Sequence, residues 1–142
     1  ITQQNEESRK TESPYALCGL RLEFRDRERL YDRINQRVTA MLENGLEAEA
    51  RWLREQPNTD TVRQAIGYKE LAPYFNGEKT LDECLESLKI ETRHYAKRQL
   101  TWFRKNENIN WVYPDDYENT QDMYNQVFSM INEFLRRYKN EN

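Results

Sequence analysis

At 142 residues, 37% hydrophobic and 33% charged, the chain is long enough for one modest core, and a mean hydropathy of -1.13 leaves no stretch suited to a membrane span. Four glycines and four prolines allow few tight turns, which excludes a sandwich or barrel of many short strands and predicts long helices on short links. A net charge of -3 with a pI near 5.4 excludes indiscriminate nucleic-acid binding, so any polyanion site has to be a local patch.

Residues 1–14 are polar and aperiodic, and the sequence predicts a disordered lead-in there. Ile1 reads as a cut inside a longer chain, because no initiating Met, signal peptide or charged-then-apolar leader is present. Tyr15 to Phe24 has strand length, with Leu20, Leu22 and Phe24 alternating, and Ile109 to Tyr113 before Pro114 reads the same way. Two such stretches make a poor sheet, so its completion is expected from residues outside the chain. Asp26 is placed to cap a helix running to Asn44-Gly45, with Leu30, Tyr31, Ile34, Val38, Met41 and Leu42 as its buried stripe. Arg37 borders that stripe and Arg33 lies one turn before it. Their stems can pack on the core while the heads meet surface acids, or the pair can form an anion-binding fork; spacing leaves both open.

Leu46 to Gln56 reads as a second helix with Leu46, Ala50 and Leu53 inward, ended by Pro57, and Asn58 to Val62 as a polar link. Arg63 to Leu71 leads into a helix that stops near Asn76-Gly77. Within it Gly67 permits close backbone approach or a positive φ, and frees amides for an anion or a base, although a lone Gly more often serves a turn. Thr80-Leu81-Asp82-Glu83 is a capping box. After Lys105, a loop at Asn106-Glu107-Asn108 and an acidic turn at Asp115-Asp116 precede a last amphipathic helix with Met123, Val127, Ile131, Phe134 and Tyr138 on one side. Cys18 and Cys84 have only His94 for company, so no metal site is expected and reduced thiols are the default.

The helix begun at Leu81 carries the richest pattern. Wound at 3.6 residues per turn, it gathers Leu81, Leu85, Leu88, Thr92, Tyr95, Ala96, Gln99, Trp102 and Phe103 onto what should be a core face. The other side collects Arg93, His94, Lys97, Arg98, Thr101, Arg104 and Lys105. Between Ser87 and Lys105 six basic residues meet one acid, Glu91, where an ordinary solvated helix alternates its signs. Gln99 falls inside the apolar stripe, where its amide must bond to the core or read a base edge.

Three stretches resemble one family: Leu30-Tyr31-Asp32-Arg33-Ile34-Asn35-Gln36-Arg37-Val38 with Met41 to Gly45, then Gln64 to Leu71, then Thr92-Arg93 with Ala96 to Arg104. In order and spacing they are similar to the C-terminal part of bacterial tRNA dimethylallyltransferases, also called tRNA isopentenyltransferases. The resemblance runs from about Tyr15 to Tyr113. It implies a mostly α chain with one or two β-strands, the C-terminal portion of a P-loop NTPase-like fold. Residues 15–113 would belong to the transferase core and tRNA-binding region, and 114–142 to a C-terminal helix.

The implied reaction moves a dimethylallyl group from dimethylallyl diphosphate to N6 of the adenosine 3′ to the anticodon, with the base flipped into a channel. By matching position, Arg37 would stabilise the diphosphate leaving group, with Arg33 either beside it or structural. Gln64, Ala65, Ile66, Gly67, Tyr68 and Lys69 would border the flipped base, and Lys97, Arg98, Gln99, Thr101, Trp102 and Arg104 would contact the anticodon loop. Gln99 and Trp102 have the alternative of packing beneath the channel. No glycine-rich phosphate loop ending Gly-Lys-Ser/Thr is present, so the cradle, the general base and the ligands of Mg²⁺ are expected upstream. The resemblance further implies a cytoplasmic protein, monomeric at full length. The rival readings are a non-catalytic RNA-binding helical module and a helical bundle that binds protein.

Overall fold

The computed structural model describes residues 15–106 and 108–141, so the lead-in expected over 1–14 lies outside the described residues. The chain divides into two compact units, one of residues up to Arg25 with Asn106–Asn142, the other Asp26–Lys105.

The unit Asp26–Lys105 is helical. Helix α1 spans Arg27–Glu43, with Asp26 in extended conformation as N-cap and its carboxylate accepting from the Glu28 amide at 2.9 Å. Its stripe is buried at Ile34 and Val38. Gly45, at φ 98°, turns the chain directly into helix α2, Leu46–Glu55, because a left-handed residue closes one helix and frees the next to start. Leu46, Ala50 and Leu53 are all buried, as their 4-3 spacing predicts.

The segment expected as a polar link contains a single helical turn, α3, Asp60–Arg63. Four residues are too few for hydrophobic periodicity to show. The turn is held by side chains: Thr59 Oγ1 donates to the Leu53 and Gln56 carbonyls, and Arg63 donates to the Arg54 carbonyl at 2.7 Å and the Gln56 carbonyl at 3.0 Å. These bonds satisfy carbonyls that the end of α2 leaves open. A 3₁₀ turn, Lys69–Leu71, runs into α4, Ala72–Phe75, which stops at Asn76 and the left-handed Gly77.

Helix α5, Leu81–Phe103, starts at the expected capping box, with the Thr80 hydroxyl accepting from the Glu83 amide and the Glu83 carboxylate accepting from the Thr80 amide at 2.8 Å. The core joins Val38, Leu46, Ala50, Leu71, Cys84 and Leu88. Cys84, missing from the stripe read in the sequence, is 1% exposed and packs as a small apolar side chain. Burying each Leu fully contributes roughly 1.5–3 kcal/mol, so this cluster fixes where α5 lies on α1 and α2.

In the other unit, β1, Gly19–Leu22, pairs in parallel with β2, Ile109–Val112, in the register Gly19 to Ile109 and Leu22 to Val112. The two stretches read as strands therefore pair with each other. β1 is also shorter than Tyr15 to Phe24, and Leu22, one of the alternating residues, is 55% exposed. Gly19 is needed for close approach: a Cβ there would meet the Asn108 carbonyl oxygen at 3.2 Å. Arg25 binds Asp116 through two nitrogens at 2.7 and 2.8 Å and lies 3.8 Å from the Tyr113 ring centre. The last helix, α6, spans Thr120–Glu141. Met123, Val127, Ile131 and Phe134 are half-buried on it, but Tyr138, expected with them, is exposed.

Candidate nucleic-acid interface

The turn Gln64 to Lys69 is shaped by a backbone that only glycine adopts readily. Gly67 sits at φ 110°, and a Cβ there would find its nearest neighbours, Leu46 Cδ1 and Met41 Cε, at 3.8 and 3.9 Å. Conformation rather than crowding therefore requires glycine, which decides between the two sequence readings. Its amide is not free for a ligand: it donates to Glu70 Oε2 at 2.8 Å, a buried hydrogen bond. Ile66 and Gly67 face the interior, leaving Gln64, Ala65 and Lys69 exposed and Tyr68 half-buried. The Tyr68 hydroxyl donates to Glu49 Oε1 at 3.1 Å, and burial first, then this carboxylate, raises the phenol above its ordinary value.

Gln64, Tyr68 and Lys69 line a cleft of about 370 Å³ with Ala50, Leu53, Arg54, Arg63 and Ala72. Its walls carry three cations and no acid, a composition suited to an anionic group. Arg54 and Arg63 were not singled out by sequence reasoning. Arg63 adjoins Gln64 and was visible as a neighbouring charge; Arg54 reaches the cleft only because α2 folds back.

On α5 the basic face is uneven. Lys97, Arg98, Thr101 and Arg104 are exposed, Gln99 is half-buried, and the Arg98 guanidinium lies 5.8 Å from the Tyr95 ring centre. Arg93 departs from that face: it donates to Asn35 Oδ1 at 2.7 Å and lies 5.0 Å from the Tyr31 ring centre, tying α5 to α1. Lys89 pairs with Glu86 at 2.5 Å, an acid just outside the stretch in which Glu91 was the sole counter-charge. Trp102, placed by periodicity on the core face, is 67% exposed, its ring edge-on to Phe103 at 4.8 Å. Tyr95, expected inward, is exposed as well.

Arg37 stands exposed on α1 and makes no hydrogen bond or ion pair among the described residues, which leaves its fork open. Arg33 is exposed and has an interaction within the chain. Met41, one turn beyond Arg37, is the side chain that approaches Gly67, so the flank of α1 bearing Arg37 adjoins the Gln64 to Lys69 turn. Among the described residues no three His, Cys, Asp or Glu side chains gather as a metal site would require, and no helix is long and apolar enough to cross a membrane.

The tRNA dimethylallyltransferase of Limosilactobacillus reuteri (strain DSM 20016) is 45% identical over 133 residues, which are 90% of this chain and 40% of the relative. That of Acetivibrio thermocellus is 46% identical over 125 residues, 85% of this chain and 39% of the relative. The solved full-length tRNA isopentenylpyrophosphate transferase of Bacillus halodurans superposes with a TM-score of 0.80 at 38% identity, covering 98% of this chain and 46% of that one. The chain thus spans about two-fifths of the length of the curated relatives it matches. Its fold class is the one the sequence implied, mostly α with two strands among the described residues and part of a P-loop NTPase-like fold. The family model for IPP transferase matches residues 1–106, and with these relatives it establishes that the chain belongs to the IPP transferase family.

Proposed function

We propose that the chain is the C-terminal, tRNA-contacting portion of an enzyme that transfers a dimethylallyl group from dimethylallyl diphosphate to N6 of the adenosine 3′ to the anticodon. N6 forms a bond to C1 of the dimethylallyl group as the bond from C1 to the diphosphate oxygen breaks. Diphosphate leaves, and the N6 proton passes to a base outside the described residues. Arg37 contributes charge to the leaving diphosphate; Gln64 to Lys69 border the flipped base; Lys97, Arg98, Gln99, Thr101, Trp102 and Arg104 meet the anticodon loop. Mg²⁺ accompanies the diphosphate, with ligands outside the described residues. The protein works in the cytoplasm as a monomer at family length, and the 142-residue chain alone does not turn over.

The observation that carries this reading is Arg37: an open guanidinium, unclaimed by any acid among the described residues, on the α1 flank that adjoins the Gln64 to Lys69 turn. A simple RNA-binding module has no need of a cation there. In a transferase of full family length carrying this sequence as its C-terminal portion, Arg37→Gln is expected to lower kcat by about 100- to 1000-fold, with tRNA binding unchanged. Weakened tRNA binding with saturated turnover intact would move Arg37 to the RNA surface and end its leaving-group role.

A further inference from the structure

A carboxylate is seldom buried, because removing it from water costs several kcal/mol unless hydrogen bonds replace the lost hydration. Glu70 is 8% exposed and the one buried polar or charged residue found among the described residues. One oxygen, Oε2, accepts from the Gly67 amide at 2.8 Å. The other, Oε1, accepts no hydrogen bond, and the Lys69 ammonium stands 3.4 Å from it. On α2, the Glu49 carboxylate holds Tyr68 by its hydroxyl. The Gln64 to Lys69 turn is therefore tied down by two acids, and the buried one sits under its left-handed residue.

We propose that Glu70 is a positioning residue for nucleic-acid contact: from beneath the turn it sets the path of the Gln64 to Lys69 backbone and the place of the Lys69 ammonium, without touching the ligand. This rests on the RNA-binding reading above. An apolar side chain would fill the same space at lower cost, but it would not accept from Gly67, so the turn would lose the buried side-chain bond that, together with the Tyr68 and Lys69 amides on the Ala65 carbonyl, opposes relaxation out of φ 110°. Glutamine keeps an acceptor for that amide and gives up the charge beside Lys69.

The test uses Glu70→Ala, Glu70→Gln and Gly67→Ala, each measured for hydrogen exchange and for affinity to an anticodon stem-loop RNA with adenosine 3′ of the anticodon. Glu70→Ala is expected to speed Gly67 amide exchange by about tenfold or more and to weaken RNA binding by about tenfold, while the Val38 and Leu88 amides keep their protection. Glu70→Gln should restore both to within about threefold. Gly67→Ala strains the same turn with the carboxylate intact and has room for its methyl, so it should weaken RNA binding even if Glu70→Ala does not fold. Wild-type chain that fails to bind the RNA would sink the RNA-binding reading, and this proposal with it. Wild-type binding that Glu70→Ala and Gly67→Ala leave unchanged would overturn the proposal alone, and would make Glu70 a purely structural acid.

Discussion

Helix α5 is two surfaces laid end to end. Its first half is closed at the start by the Thr80 and Glu83 box and buried at Cys84 and Leu88, each 1% exposed. Its second half carries an equally good apolar stripe in sequence, yet Tyr95 is 45% and Trp102 67% exposed, among Lys97, Arg98 and Arg104. Periodicity says which side chains share a side of a helix. Whether another element covers that side is a separate matter, decided here by α1, α4 and the 3₁₀ turn, which pack against α5 and leave Tyr95 and Trp102 uncovered. The first half is therefore committed to folding, and the second is left available for contact.

The contrast is sharpest at its extremes. Leu88→Ala should cost about 2–5 kcal/mol in urea unfolding, since it empties a closed site, whereas Trp102→Ala should stay within about 0.5 kcal/mol. A comparable loss at Trp102 would break the division. At the junction, Arg93→Met removes the bond to Asn35 and the stacking on Tyr31; a loss of about 1–3 kcal/mol is expected, and a loss under 0.5 kcal/mol would mean the tie between α5 and α1 is idle.

At the start of the helix, Thr80→Ala should cost about 1 kcal/mol through the lost cap. Hydrogen bonds from the Thr80 amide, and then from its hydroxyl, hold the Glu83 carboxyl below its ordinary value of 4.5. A depressed carboxyl stabilises the fold fully above its unfolded value and loses that contribution as pH falls through the lower folded value. Thermal midpoints taken downward from pH 4.5 should therefore fall more gently in Glu83→Gln than in wild type. In the second half, Lys97→Ala and Arg98→Ala should leave stability unchanged and each reduce the salt slope of RNA binding by about one unit, read from affinities at several salt concentrations.

Much of this was legible because it is local. The Asp26 cap, the Leu46, Ala50 and Leu53 face, the Thr80 box and the left-handed glycines are each decided within a few residues. What escaped needed a neighbour distant in sequence. Cys84 counts as core only because Val38 and Leu71 reach it, and Arg54 joins Gln64 in one cleft only after α2 turns back. For the candidate site, the motif residues were readable as a family pattern, but the burial of Glu70 was not. A glutamate in a polar stretch looks solvated until the structure shows Gly67 bonded to it.

The parallel pairing of β1 with β2 has a kinetic consequence. Arg25 and Asp115, bonded just beyond the strands, are 90 residues apart in sequence. Closing a flexible loop of that length costs on the order of 4 kcal/mol from chain entropy alone, more than a four-residue ladder can readily offset. The helical unit Asp26–Lys105 should therefore collapse first and turn a long, slack connection into a short one. On the ribosome, β1 emerges well before β2, so this pairing is completed only after the helical unit between the two strands has been made.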